Sequence, residues 1–165
     1  NCTGLTPSTP DLRGVKGETL IVHNPEFTLT RPVRLMYPRY PLYIIPREDN
    51  IFMIGATNIE SSDNKSVSLR SAMELLSALH ALSPSFAEAE IITIKAGIRP
   101  AYPDNLPRIT FHKNHITANG LFRHGYLLSP IMAQCIADHI NSTENKYMPL
   151  FTERKTHEDH TQRAA

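Results

Sequence analysis

Leu42-Tyr43-Ile44-Ile45-Pro46, Arg47-Glu48-Asp49-Asn50, Ile51-Phe52-Met53-Ile54-Gly55-Ala56: two short apolar runs stand either side of four polar residues. Runs rich in β-branched and aromatic residues, five and six residues long, are strand-sized. A four-residue polar connection joins such runs as an antiparallel hairpin rather than a parallel crossover, which needs a dozen residues or more. The sheet of this protein is therefore expected to be built at least in part from antiparallel neighbours.

Working outward, Glu18 to His23 and Val33 to Tyr37 read as further strands, the second fenced by Pro32 and Pro38. Residues 6–14 and 61–66 are turn-forming or polar loops. Ser68 to Leu82 carries Leu69, Ala72, Met73, Leu76 and Leu79 at helical spacing, with Ser66 or Ser68 as cap and Pro84 as stop. Glu90 to Ile98 is a strand. Arg108–His112 and His115–Ala118 form a second hairpin around Lys113-Asn114, and Leu127 to Ile140 is a second helix with Pro130 in its first turn. Strands in runs, with two helices between and after them, indicate an α+β fold with a mostly antiparallel or mixed sheet.

The chain has 165 residues, 41% hydrophobic and 20% charged, with net charge +1. That is ordinary globular composition for one core. The charge balance points to no nucleic acid, and no apolar run approaches the roughly 18–20 residues of a membrane span. Two cysteines, Cys2 and Cys135, make neither a metal spacing nor a strong disulfide framework, so a reduced, cytoplasmic setting is expected. The chain opens on Asn1-Cys2-Thr3-Gly4-Leu5 without a methionine, and a piece of a longer protein is expected.

Two segments carry candidate chemistry. Arg99 ends an apolar run between Gly97 and Pro100. A guanidinium there stays charged and can grip a carboxylate through two parallel hydrogen bonds. A surface arginine or a structural ion pair satisfies the same spacing. Gly120-Leu121-Phe122-Arg123-His124-Gly125 leads into the second helix, whose N-terminal amides suit an anion or an electron-rich ring edge. A plain glycine-containing loop is the alternative. Tyr43 lies mid-strand, where an inward hydroxyl needs a partner. His112/His115 and His157/His160 share i,i+3 spacing but lack a third ligand, and no metal is expected. No GxSxG, P-loop or CxxC occurs.

Several stretches, in this order, resemble a known family. They are Arg13-Gly14-Val15-Lys16-Gly17-Glu18, Leu42 to Arg47, Ile54-Gly55-Ala56-Thr57, Gly97-Ile98-Arg99-Pro100, Pro103-Asp104-Asn105-Leu106-Pro107 and Gly120 to Pro130. Together they resemble the C-terminal half of the FAD-dependent D-amino-acid oxidase superfamily, and most of all its glycine oxidases of thiamine biosynthesis. The resemblance runs from about Asn1 to Asn141. It implies a substrate-binding domain that lacks the N-terminal dinucleotide-binding half; no GxGxxG occurs here.

The resemblance also implies an organisation and a set of roles. Residues 1–12 would be a remnant of the FAD-binding domain and a linker, 13–118 the substrate-binding sheet, 119–141 a flavin-contacting loop and helix, and 142–165 a polar, disordered tail. Arg99 would clamp the substrate carboxylate, Tyr43 would help hold it, and Arg123 would lie near substrate and flavin. Thr3, Gly4 and the stretch Arg123, His124, Gly125, Tyr126 and Leu127 would contact FAD. Asn58 stands where a pocket methionine is found in the family. Leu121, His124 and Pro41 also depart from its pattern, which bears on substrate preference. The implied reaction is oxidation of glycine or another small amino acid, with hydride transfer to flavin, reoxidation by dioxygen and no protein general base. A homo-oligomer is implied for the whole protein, and little activity for these residues alone. A non-enzymatic α+β binding or assembly module is the competing expectation; it requires Arg99 and Arg123 to stand apart or face solvent.

Overall fold

A computed structural model describes residues 2–6, 11–36 and 41–152. Among the described residues, seven strands and two long helices follow in the order β1 (Arg13–His23), β2 (Val33–Leu35), β3 (Leu42–Pro46), β4 (Ile51–Gly55), α1 (Leu69–Leu82), β5 (Glu90–Ala101), β6 (Arg108–His112), β7 (His115–Asn119) and α2 (Gly125–Ile140). The first five strands form one sheet in the order β2-β3-β4-β1-β5, and β6 and β7 form a separate two-stranded ribbon. Pairings β2–β3, β3–β4 and β1–β4 are all antiparallel. The fold is the expected α+β arrangement. By internal contacts the chain falls into two compact units: Gly14–Ile98, and the described residues of Asn1–Arg13 together with those of Arg99–Ala165.

The unit Gly14–Ile98 is a sheet with a helix on one face. The β3–β4 turn uses Asp49 (φ 56°) and Asn50 (φ 54°) in the left-handed region, which these two residue types tolerate. Alternation then sorts the side chains. Leu20, Val22, Leu42, Ile44, Phe52 and Ile54 are buried against Leu75, Ala78 and Leu79 of α1. Each fully buried Leu or Ile contributes roughly 1.5–3 kcal/mol. Tyr43 and Ile45, between those positions, belong to the opposite face. Ser68 caps α1, accepting a hydrogen bond from the Ser71 N–H at 3.2 Å, and the helix stops before Pro84.

The second unit packs the β6–β7 ribbon against α2 through Ile109, Ala118, Met132, Cys135 and Phe151. His112 and His115 are register partners across its tight turn, where Lys113 has φ 42°. Among the described residues no group of three or more His, Cys, Asp or Glu is arranged to hold a metal, and no helix is long and apolar enough to cross a membrane.

Four expectations change. β1 starts at Arg13, with Lys16 bridging Ile59, and β5 runs on to Ala101. α2 starts at Gly125, so Pro130 sits in the second turn and not the first; its missing N–H leaves the Tyr126 carbonyl without an i+4 donor. The stretch from 142, expected to be a disordered tail, is structured as far as 152: Met148–Leu150 is a 3₁₀ turn, and Phe151 is buried with its carbonyl accepting from Ile109 N–H at 2.7 Å. Isolated apolar residues without periodicity gave no signal of that docking. Residues 153–165, with His157 and His160, lie outside the described residues, as do Pro7–Pro10 and Tyr37.

Candidate functional site

In the second unit, three stretches far apart in sequence meet. Asn119, at the end of β7, donates from Nδ2 to the Gly4 carbonyl at 2.8 Å, and its Oδ1 accepts from Gly120 N–H at 2.9 Å. Gly120 has φ +76°, and a Cβ there would lie 2.3 Å from the Tyr102 ring. Only glycine fits both the dihedral and the space. Phe122 N–H then donates to the Pro100 carbonyl at 3.2 Å. This bond sets Arg123 beside the end of β5, where Arg99 lies. Burial first, and then the Arg123 charge, hold the Arg99 guanidinium below its ordinary pKa. Two like charges therefore stand within electrostatic reach of each other, Arg99 half-buried and Arg123 exposed.

The start of α2 adjoins this pair in the chain. His124 is its N-cap position but makes no side-chain cap, and the first turn holds no acidic residue. His124 N–H bonds back to Leu121 O at 2.8 Å, while Tyr126 and Leu127 are exposed. The helix start thus keeps its partial positive charge open to an approaching group. Thr3 is exposed and Gly4, at φ +73°, passes close to Pro100.

The intervening turn is firmly tied. Asp104 accepts from Leu106 N–H at 3.0 Å and pairs with Arg108 at 3.1 Å. The Leu106 N–H, and then Arg108, draw the Asp104 carboxyl below its ordinary pKa, against a smaller opposing effect of burial. Arg13 donates to Tyr102 O and to Asn105 Oδ1 at 3.2 and 2.8 Å, and the Arg108 guanidinium lies 4.3 Å from the Tyr102 ring centre. Asn119 and Tyr102 were not singled out in the sequence. The Asn119-Gly120 pair, a turn signal after a strand, was the available clue.

The other unit carries Tyr43 and Asn58. Tyr43 pairs in register with Arg34 on one side and Gly55 on the other, and Gly55 pairs onward with Thr19. The Arg34 guanidinium is 6.0 Å from the Tyr43 ring centre. Asn58 is exposed and borders a cavity of about 680 Å³ whose walls include Lys16, Glu18, Thr57, Ser68 and Ser71; Tyr43 does not line it. The structure thus gathers Gly4, Arg99, Arg123 and the α2 start in one unit, and carries Tyr43 and Asn58 in the other.

An unblocked helix start, two adjacent arginines and a glycine turn that no Cβ could replace are the features of a site for an anionic or electron-rich ligand. The profile of the FAD-dependent oxidoreductases matches residues 1–139. The chain belongs to that family. It is 52% identical over 139 residues to a Rhizobium etli protein named as a thiamine biosynthesis oxidoreductase, covering 83% of this chain and 42% of that protein. Among solved structures it is similar to the glycine oxidase of Geobacillus kaustophilus, at 30% identity and a TM-score of 0.75, over 87% of this chain and 40% of that one. It is similar also to the glycine oxidase of Bacillus cereus, at 29% identity and a TM-score of 0.76, over 88% and 40% respectively. The chain spans about two fifths of the length of these relatives.

Proposed function

We propose that the whole protein oxidises glycine or another small amino acid with FAD as cofactor, in a cytoplasmic pathway to the thiazole of thiamine. The observation that carries this reading is the pair Arg99 and Arg123 beside the uncapped start of α2. Burial and the neighbouring Arg123 charge disfavour the charged Arg99, and a carboxylate bound there would relieve that cost. Arg99, on the backbone of β5, grips the substrate carboxylate. Arg123 adds the second charge, and the Tyr43 hydroxyl completes the grip. Asn58 offers a polar contact in place of an apolar one, which favours a small substrate.

The residues present fit a flavin. Thr3, Gly4 and the backbone from Arg123 through His124, Gly125 and Tyr126 to Leu127 would hold it, with the helix amides toward its electron-rich edge. Bound FAD would supply the acceptor for the hydride leaving the substrate Cα, with dioxygen as the final oxidant and hydrogen peroxide as its product. The protein's own part is to orient the Cα–H bond and to hold the carboxylate. The amine loses a proton as the C=N bond forms, and the imine hydrolyses to the oxo acid and ammonia or is consumed by a later step. No carboxylate of the gathered site is assigned as a base. A homo-oligomer is part of the same proposal, as is weak flavin binding by these 165 residues alone.

Purification of the whole protein tests this directly. A flavin absorbance band and peroxide release with glycine or another small amino acid are the expected results. A colourless protein that releases no peroxide with any small amino acid sinks the oxidase reading and favours a binding module.

A further inference from the structure

The mechanism above leaves one buried charged group unused. Glu18, fully buried in β1, accepts from Thr57 Oγ1 at 3.0 Å and from Ser68 N–H at 3.4 Å, and lies 3.7 Å from Lys16 Nζ. Its backbone is engaged with the same threonine. Glu18 N–H donates to Thr57 Oγ1 at 2.8 Å, and Thr57 N–H donates to the Glu18 carbonyl at 3.1 Å. Lys16 in turn donates to Ser66 O at 3.1 Å. One carboxylate therefore ties together β1, the residues just past β4 and the N-cap of α1.

Those residues past β4 adjoin the two candidate residues that this unit carries. Thr57 follows Gly55, the register partner of Tyr43, by two positions and precedes Asn58 by one. Apolar residues of similar volume can stabilise a core as well as a buried ion pair does, whereas a buried carboxylate left without its hydrogen-bond donors is costly, which holds Thr57 and Ser68 in place. We propose that Glu18, acting through Thr57, is a positioning residue for Tyr43 and Asn58, so that it governs how well the substrate fits and not the rate of the chemical step. This rests on the oxidase reading given above.

Two substitutions isolate the effect. Thr57→Val keeps the shape and removes the hydroxyl; Thr57→Ser keeps the hydroxyl. In the whole protein, Thr57→Val is expected to raise KM for the small amino acid by about tenfold with kcat within about twofold, and Thr57→Ser to return KM to near the starting value. A lower melting temperature with KM unmoved makes the contact merely structural and overturns the proposal. Hydrogen exchange gives a readout independent of turnover: in the 165-residue chain, Thr57→Val is expected to speed exchange at Thr57–Ile59 by about tenfold while the interior of α1 keeps its protection. Unchanged exchange there overturns the clamp even in an active enzyme. Faster exchange in a protein that oxidises no amino acid instead overturns the oxidase reading, and with it the assignment of Glu18 to substrate fit.

Discussion

The two units of the molecule treat paired charges in opposite ways. In Gly14–Ile98, Lys16 and Glu18 are buried, opposite in sign and bonded to Ser66, Thr57 and Ser68. In the second unit, Arg99 and Arg123 are alike in sign and less enclosed, and the Arg123 charge, after burial, disfavours that of Arg99. The first pair is complete without a ligand. The second is the pair proposed above to meet an anion. An opposite pair fixes shape; a like pair prepares a binding surface.

The largest expected effect breaks the first pair. Glu18→Ala leaves the Lys16 ammonium buried without its counter-charge and is expected to cost about 3–5 kcal/mol in urea unfolding. Adding Lys16→Met should recover most of it, because an apolar core tolerates the volume. A loss near zero for Glu18→Ala alone would mean that Lys16 finds water.

Next comes the second pair. Arg99→Ala in the whole protein should remove roughly 1.5–3 kcal/mol of substrate binding, seen as a raised KM and a lower kcat/KM. Unchanged kinetics would take Arg99 out of the site. Arg123→Gln should do the reverse to stability. It relieves Arg99 and is expected to raise the unfolding free energy by at most about 1 kcal/mol after solvent screening, while weakening carboxylate binding. A destabilised Arg123→Gln would show that Arg123 serves the fold.

The smallest effect separates the two pairs from an ordinary surface contact. Asp104 has a depressed pKa, so its contribution to stability is present above the unfolded carboxylate pKa and is lost as pH falls through the lower folded value. Asp104→Asn should cost a little stability at neutral pH and nothing in strong acid, where both proteins carry a neutral side chain. A loss that persists in acid would point to the hydrogen bonds and not the charge.

Much of this was legible in the chain. The β3–β4 hairpin, the Ser68 cap, the Pro84 stop and the β6–β7 hairpin are local signals, set by alternation, capping and turn chemistry within a few residues. Arg99 and Arg123 were legible as types, each in a glycine-bearing context, and only the family resemblance set them at one site. Nothing local says that Phe122 N–H reaches the Pro100 carbonyl. Glu18 looked like part of an ordinary strand, because the threonine that binds it is 39 positions away. Phe151 looked like part of a polar tail for the same reason: its burial depends on Ile109, Ala118 and Met132, not on its sequence neighbours.

By itself, then, the sequence determined the α+β class, the order of strands and helices, and the family, since these follow from periodicity and from motifs read in register. Only the tertiary structure decided which charges meet. It joined Lys16 and Glu18 to Thr57 and Ser68, brought Arg123 to Arg99 through the Gly120 turn, and docked Phe151 against β6, β7 and α2. The physical reason is range. Secondary structure answers to residues three or four apart, whereas burial and charge answer to whatever the folded chain brings within a few ångströms.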